Sequence, residues 1–167
     1  LGHTCGLDVQ GKVTCWGDDT FGQLGDGVGK KNGRVANLSG VKKLSLGAYH
    51  SCAIRSNSSV ACWGDNRNGQ IGNGIGAAPL KDPVHQPVSV LKVNGVGGLA
   101  TGDSHSCALF ANGKASCWGA NDLSQLGSGT KSTWTTRIPV KELAGGRAIS
   151  SGPKHTCVAG SNRVSCW

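Results

Sequence analysis

The chain has 167 residues, of which 28 are glycine and five proline, with no methionine and a formal charge of +8. No apolar run reaches the roughly 20 residues a membrane-crossing helix needs, and no stretch keeps a 3.6-residue apolar period, which excludes helical bundles and coiled coils. Abundant glycine with local alternation points instead to short strands joined by tight turns.

In chain order, one motif returns four times. His3-Thr4-Cys5-Gly6-Leu7 leads to Val13-Thr14-Cys15-Trp16-Gly17 and then Gly22-Gln23-Leu24-Gly25. His50-Ser51-Cys52-Ala53-Ile54 leads to Val60-Ala61-Cys62-Trp63-Gly64 and Gly69-Gln70-Ile71-Gly72. His105-Ser106-Cys107-Ala108-Leu109 leads to Ala115-Ser116-Cys117-Trp118-Gly119 and Gln125-Leu126-Gly127. His155-Thr156-Cys157 leads to Val164-Ser165-Cys166-Trp167. The motif histidines are 47, 55 and 50 residues apart, and a period near fifty suits a propeller blade of four strands. The expected fold class is all-β, a partial β-propeller of three repeats and part of a fourth. The copies run over about 1–46, 47–101, 102–151 and 152–167 of one incomplete propeller. Because the chain opens inside one copy and closes inside another, we expect it to be part of a longer protein.

All eight cysteines fall in the repeats, separated by 10, 10, 10 and 9 residues within each copy. Folding the first copy about Gln10 sets Cys5 against Cys15 and Leu7 against Val13; Asn57 and Asn112 centre the same fold in the next two. A two-residue turn at Ser161-Asn162 aligns Cys157 with Cys166. Opposed residues at a non-hydrogen-bonded antiparallel site have Cα atoms about 4.5 Å apart, within reach of a disulfide. The predicted bonds are Cys5–Cys15, Cys52–Cys62, Cys107–Cys117 and Cys157–Cys166. Zinc ligation by His-x-Cys with a distant Cys is the alternative, as are reduced core thiols, but the close Cys-x-x-Cys pair of a zinc site is missing.

Each Cys-Trp-Gly precedes a polar loop, Asp18-Asp19-Thr20-Phe21, Asp65-Asn66-Arg67-Asn68 or Ala120-Asn121-Asp122-Leu123. The pattern lacks the alternate ligands and terminal Glu of a calcium loop, so Asx-type turns are expected. An outer strand is expected over 84–93 and again over 138–143, placed at an edge by proline. An inner strand over Val41–Gly47, Val96–Gly102 and Arg147–Gly152 completes four strands per repeat.

The longest insertion, between Gly74 and Val88, holds Pro79, Pro83, His85 and Pro87. Insertions in repeat proteins project from one face and often bind, so Pro83 and His85 are candidate partner contacts. Trp134 lies outside the repeated motif and is a candidate surface anchor. Lys30 and Lys31 head a basic stretch that continues through Arg34, Lys42 and Lys43; it suits an acidic partner, or simply a solvated loop. Two sequons, Asn37-Leu38-Ser39 and Asn57-Ser58-Ser59, are candidate glycosylation sites.

The joined pattern, at its fullest from Gly47 to Gly74, resembles the regulator-of-chromosome-condensation repeat, in a secreted, disulfide-containing form. The departures are Gly6 and Val158 at a small-residue position, Asp19 for Asn, and Ser124 for Gly. The resemblance implies a ring of about seven four-stranded blades that serves mostly as a scaffold for protein contacts. The nuclear founding member exchanges nucleotide on a small GTPase and binds chromatin, an activity not expected here, since cystines are out of place in a nucleus. A kelch propeller, suggested by Gly97-Gly98 and Gly145-Gly146, lacks the accompanying aromatic spacing.

Fourfold repetition argues that His3, His50, His105 and His155 are structural, satisfying backbone groups between adjoining blades. Trp16, Trp63, Trp118 and Trp167 are expected to pack between blades. No nucleophile elbow, P-loop, dinucleotide fingerprint or zinc-protease helix is present. The expected function is therefore an extracellular, non-catalytic interaction module without cofactor or metal, in a receptor ectodomain, matrix component or surface fibre. Its partners would be proteins, further blades of the same polypeptide or neighbouring subunits, with nucleic acid disfavoured. A secreted inhibitor or ligand-binding propeller is the alternative, and an exchange factor or chromatin binder a weaker one.

Overall fold

The computed structural model describes residues 2–27, 33–74, 83–131 and 135–167, with backbone alone for 135 and 136. The insertion expected between Gly74 and Val88 falls largely on 75–82, outside the described residues, as do Lys30, Lys31 and Trp134.

Every regular element of the described residues is a strand. Strands β1 (His3–Leu7) and β2 (Val13–Gly17) form a hairpin, with Arg34 bridged to Thr14 beside it. Strands β3 (Val41–Leu46), β4 (His50–Arg55), β5 (Val60–Gly64) and β6 (Val84–Ser89) make a four-stranded antiparallel sheet in that order. Strands β7 (Val96–Thr101), β8 (His105–Phe110), β9 (Ala115–Gly119) and β10 (Thr135–Pro139) repeat it. Strands β11 (Ala148–Ser151), β12 (Thr156–Ala159) and β13 (Val164–Cys166) begin the next sheet. Four such sheets in sequence, each feeding the next, are the blades of a partial β-propeller.

The outer strands tolerate proline for a visible reason. In the β5–β6 ladder, Cys62 pairs with Val88 and Gly64 with Val84, so the register slips between the two pairs and Pro87 sits in the slip. Proline, which lacks an N–H, costs least at such an irregularity on an edge strand. On β10, Pro139 is the last residue.

The register of the hairpins follows from their length. Cys5 pairs with Cys15, Cys52 with Cys62, Cys107 with Cys117 and Cys157 with Cys166. A disulfide closes each pair, with Cα atoms 4.1 Å apart in all four hairpins, and no described cysteine is free. The two middle cystines are fully buried.

The core lies between blades. Val13, Cys15 and Leu24 of the first blade pack with Ala53, Ala61 and Trp63 of the second. Cys52, Val60, Cys62 and Ile71 of the second pack with Ala108 and Trp118 of the third. Leu109 and Ala115 of the third pack with Val158 of the last. Each blade thus covers its neighbour's apolar face, the arrangement that makes blade repeats interdependent.

Closing so short a loop contributes about 2–3 kcal/mol on the chain-entropy account. Peptide mapping of a non-reduced digest should return four bonds, each within one hairpin. The Cys52→Ala, Cys62→Ala double variant should lose about 2–3 kcal/mol in denaturant unfolding. Cross-repeat bonds, or an unchanged unfolding midpoint, would contradict the assignment.

Candidate protein-interaction face

The loops after β2, β5 and β9 are folded by their own side chains. Asp19 Oδ1 accepts the Leu24 N–H at 3.0 Å, Asn66 Oδ1 the Ile71 N–H at 3.1 Å and Asn121 Oδ1 the Leu126 N–H at 3.1 Å. Only an acceptor oxygen is needed, which is why Asp19 serves where the other copies carry Asn. Gln23, Gln70 and Gln125 turn their Oε1 back onto the N–H of Phe21, Asn68 and Leu123, each at 2.8–2.9 Å. Asp18 accepts from the N–H and hydroxyl of Thr20, and Asp65 from the Arg67 N–H, as Asx turns do.

These loops aim backbone carbonyls at the next blade. The Gln23 carbonyl accepts the Ser51 hydroxyl at 3.0 Å and the Trp63 indole N–H at 2.8 Å. The Gln70 carbonyl accepts the Ser106 hydroxyl and the Trp118 indole N–H, both at 2.9 Å. A buried carbonyl with two lone pairs is fully satisfied by two such donors. Gly25, Gly72 and Gly127 provide the seats for the rings: a Cβ there would fall within 2.6, 2.7 and 2.9 Å of Trp63, Trp118 and Trp167. Trp63 and Trp118 are fully buried, as their expected packing role requires. Trp16, on the first hairpin, is 45% exposed. Trp167 lies against Gly127, but its indole N–H finds no partner.

The histidines differ from expectation in what they bond. Their Nε2 atoms meet side-chain hydroxyls of the next blade, not backbone groups: His3 with Ser51 at 2.7 Å, His50 with Ser106 at 2.9 Å and His105 with Thr156 at 2.8 Å. The Ser51 and Ser106 hydroxyls are already committed as donors to the Gln23 and Gln70 carbonyls, so their oxygens are free to accept from the imidazole. Burial pushes the His50 pKa down to about 3, with the neighbouring His105 adding to the shift, and burial pushes His105 down to about 4. His3 is lowered by burial too, against the pull of Asp18.

Beside the first seam stands a cluster that the motif does not contain. The rings of Phe21 and Tyr49 meet edge to face at 5.1 Å between centroids. The Arg67 guanidinium lies 4.2 Å over the Phe21 ring and is paired with Asp65, its Nε and one terminal nitrogen reaching the two carboxylate oxygens at 2.9 and 3.0 Å. Tyr49 is 40% exposed and Arg67 about half exposed. Tyrosine and arginine held rigidly at a surface are the residue types that dominate binding energy at interfaces. The sequence does carry a signal for them: Phe21 and Tyr49 are aromatic where other copies have Asn68 or Leu123, and Ser104 or Lys154.

His85 stands next to this cluster, half-buried in the seam, where a Cβ on Gly22 would meet its Nδ1 at 2.7 Å. Its carbonyl accepts the Gly27 N–H at 3.1 Å. Pro83 is half-buried just before β6. Asn37 and Asn57 are exposed, and the Asn37 amide nitrogen donates to Gln86 at 3.1 Å. No group of His, Cys, Asp and Glu among the described residues is placed to hold a metal.

Repeated four-stranded sheets locked by the same seam define a propeller-blade repeat protein, and the comparisons name the repeat. The family model for the regulator of chromosome condensation (RCC1) repeat matches residues 1–23, 41–70 and 98–125, so these three stretches are RCC1 repeats, and a disulfide closes the hairpin of each described blade. Prp20p from Saccharomyces cerevisiae superimposes on 99% of the chain at a TM-score of 0.88 and 22% identity, over 43% of its own length. Human WBSCR16 does so at 0.85 and 23%, over 44% of its length. The ectodomain of the Physcomitrella patens receptor kinase CR4 does so at 0.63 and 26%, over 38% of its length. The chain thus spans less than half of each of these structures. No curated protein sequence matches it.

Two measurements test the seam. Gly72→Ala puts a methyl against Trp118 at a backbone φ of +69°; it should cost at least about 2 kcal/mol in chemical unfolding. Gly95→Ala, at φ +72° with open space around it, should cost about 1 kcal/mol, the backbone penalty alone. Equal losses would contradict the ring seat. For pH, the buried histidines stay neutral in the folded state while the unfolded chain takes up protons below about 6.5. Their contribution should be complete above pH 6.5 and fall by up to about 1.4 kcal/mol per unit for each of His50 and His105 as the pH drops toward 4. A pH-independent unfolding midpoint over that window would contradict their neutral, buried state.

Proposed function

We propose that this chain is part of an extracellular β-propeller that acts as a non-catalytic protein-interaction module, its ring completed by further blades. The observation that carries the reading is the cystine in each of four hairpins, because such bonds persist in oxidising compartments and are rare in cytosol and nucleus. The likeness to a receptor-kinase ectodomain supports it. Prp20p binds Gsp1p and histones; at 22% identity that likeness supports the fold and not those partners.

The docking site we propose is the loop face around Phe21, Tyr49 and Arg67, with His85 and Pro83 at its rim. Trp134, Lys30 and Lys31, outside the described residues, are proposed as partner contacts on sequence grounds alone. The cluster is pre-organised by the edge-to-face ring contact and the Asp65 pair, which limits the side-chain entropy lost on binding.

Asn57 is the better of the two proposed glycosylation sites. It is exposed at the β4–β5 tip, and its Oδ1, not its amide nitrogen, carries the turn, accepting the N–H and hydroxyl of Ser59 at 3.1 and 2.7 Å. The amide nitrogen of Asn37 is engaged with Gln86.

The full-length protein should be recovered from the cell surface or medium with its cysteines resistant to alkylation before reduction, and with glycosidase-sensitive mass at Asn57. Proximity labelling should mark protein neighbours that are lost in the Phe21→Ser, Tyr49→Ser double variant, while its thermal midpoint stays within a few degrees of wild type. Free thiols in an intracellular protein would overturn the location. Unchanged labelling in the variant would overturn the docking face.

A further inference from the structure

The two faces of the blade row differ in charge. The loop face carries Asp18, Asp19, Asp103 and Asp122 with Arg67 and Lys154 among them, while Asp65 is buried against Arg67. The other face is made of the hairpin tips and the turns that lead into the inner strands. Backbone bonds hold these together: Val41 N–H to Gly11 O at 3.1 Å, Ser56 N–H to Gly40 O at 2.6 Å, Val96 N–H to Ser58 O at 3.1 Å and Gly146 N–H to Gly113 O at 3.0 Å. Lys12, Lys42, Lys43, Lys114, Arg147 and Arg163 all stand exposed there. Among the described residues of these tips and turns, the acids are Asp8 and Glu142.

Lys43 Nζ donates to the Gly97 carbonyl of the next blade at 2.8 Å, but folding does not ask for the charge at the hairpin tips. Lys12 and Lys114 close their tips with backbone N–H groups, donated to Asp8 Oδ1 at 2.8 Å and Asn112 Oδ1 at 3.0 Å, which any L-residue supplies. Yet a cation recurs just before the second hairpin strand in three blades, as Lys12, Lys114 and Arg163, with Ser59 in the fourth.

We propose that this tip face binds a sulfated polysaccharide chain. The cations are spread along an arc across all four blades, which suits a linear polymer carrying many anionic groups. The exposed large apolar residues near the tips are the aliphatic Leu7, Val9, Leu91 and Val164. A protein partner would call for aromatic anchors, and a nucleic acid for stacking rings; this face exposes neither among the described residues. The choice of a sulfated sugar over nucleic acid also rests on the extracellular reading above. The binding measurement itself does not.

The test uses the full-length protein made under an N-glycosylation inhibitor, so that no glycan at Asn57 covers the tips, with a fluorescent heparin oligosaccharide as probe. Wild type should bind at about 0.15 M NaCl, with a Kd that rises steeply with salt. The Lys12→Glu, Lys42→Glu, Lys114→Glu triple variant should raise the Kd at least about tenfold and flatten the salt slope. Lys154→Glu, on the loop face, should change it less than about twofold. The proposal is overturned by absent wild-type binding, by a wild-type Kd in the triple variant, by equal binding of desulfated heparin, or by tighter binding of duplex DNA or polyglutamate. An intracellular, reduced protein that still met the expected pattern would sink the location and leave the surface standing.

Discussion

The fold depends on a carbonyl oxygen that receives two donors from the neighbouring blade. Gln70 offers it in the second blade and Gln23 in the first. The glutamine side chain folds back to hold its own turn, so the carbonyl is pinned before the neighbour arrives. Two residues later a glycine leaves room for the indole that brings one of the donors. The second donor, a serine hydroxyl, is oriented in turn by a histidine of the carbonyl's own blade. A missing member would leave a polar group unpaired in a dry seam, where each costs about 1–3 kcal/mol.

This constraint explains the motif better than any single blade does. Histidine, serine, cysteine, tryptophan, glycine and glutamine are spread over some 25 residues of sequence, yet they meet only when two copies are side by side. The hairpin disulfides hold the two strands that carry the serine and the tryptophan, so each blade presents both donors at a fixed spacing. The third seam shows how far the pattern stretches: Thr156 replaces serine and still meets His105, while the Trp167 indole N–H is left without an acceptor.

Much of the fold was legible in the sequence because its period is covalent. Cysteine spacings of 10 and 9 allow one simple hairpin register, and the inner strands announce themselves by position before each histidine. What was not legible needed three dimensions. The histidine acceptors are hydroxyls about fifty residues away, not the backbone groups expected. Ser124 replaces a glycine yet keeps the same left-handed conformation, at φ +67°; sequence alone does not say whether the turn survives the exchange. The Phe21–Tyr49–Arg67 cluster was missed because its members lie at unrelated repeat positions and meet only across a seam. His85, read as an insertion residue, is drawn into that same seam by its contact with Gly22.

The carbonyl with two donors is tested most directly by a double-mutant cycle on Ser106→Ala and Trp118→Phe, which remove the hydroxyl and the indole N–H but leave the cystine and the ring seat in place. Each single variant should lose about 1–3 kcal/mol of unfolding free energy, and the pair should couple by at least about 0.5 kcal/mol, as groups sharing one acceptor do. Single losses below that figure, or strict additivity, would show that the blades are held by apolar contact alone and contradict the account.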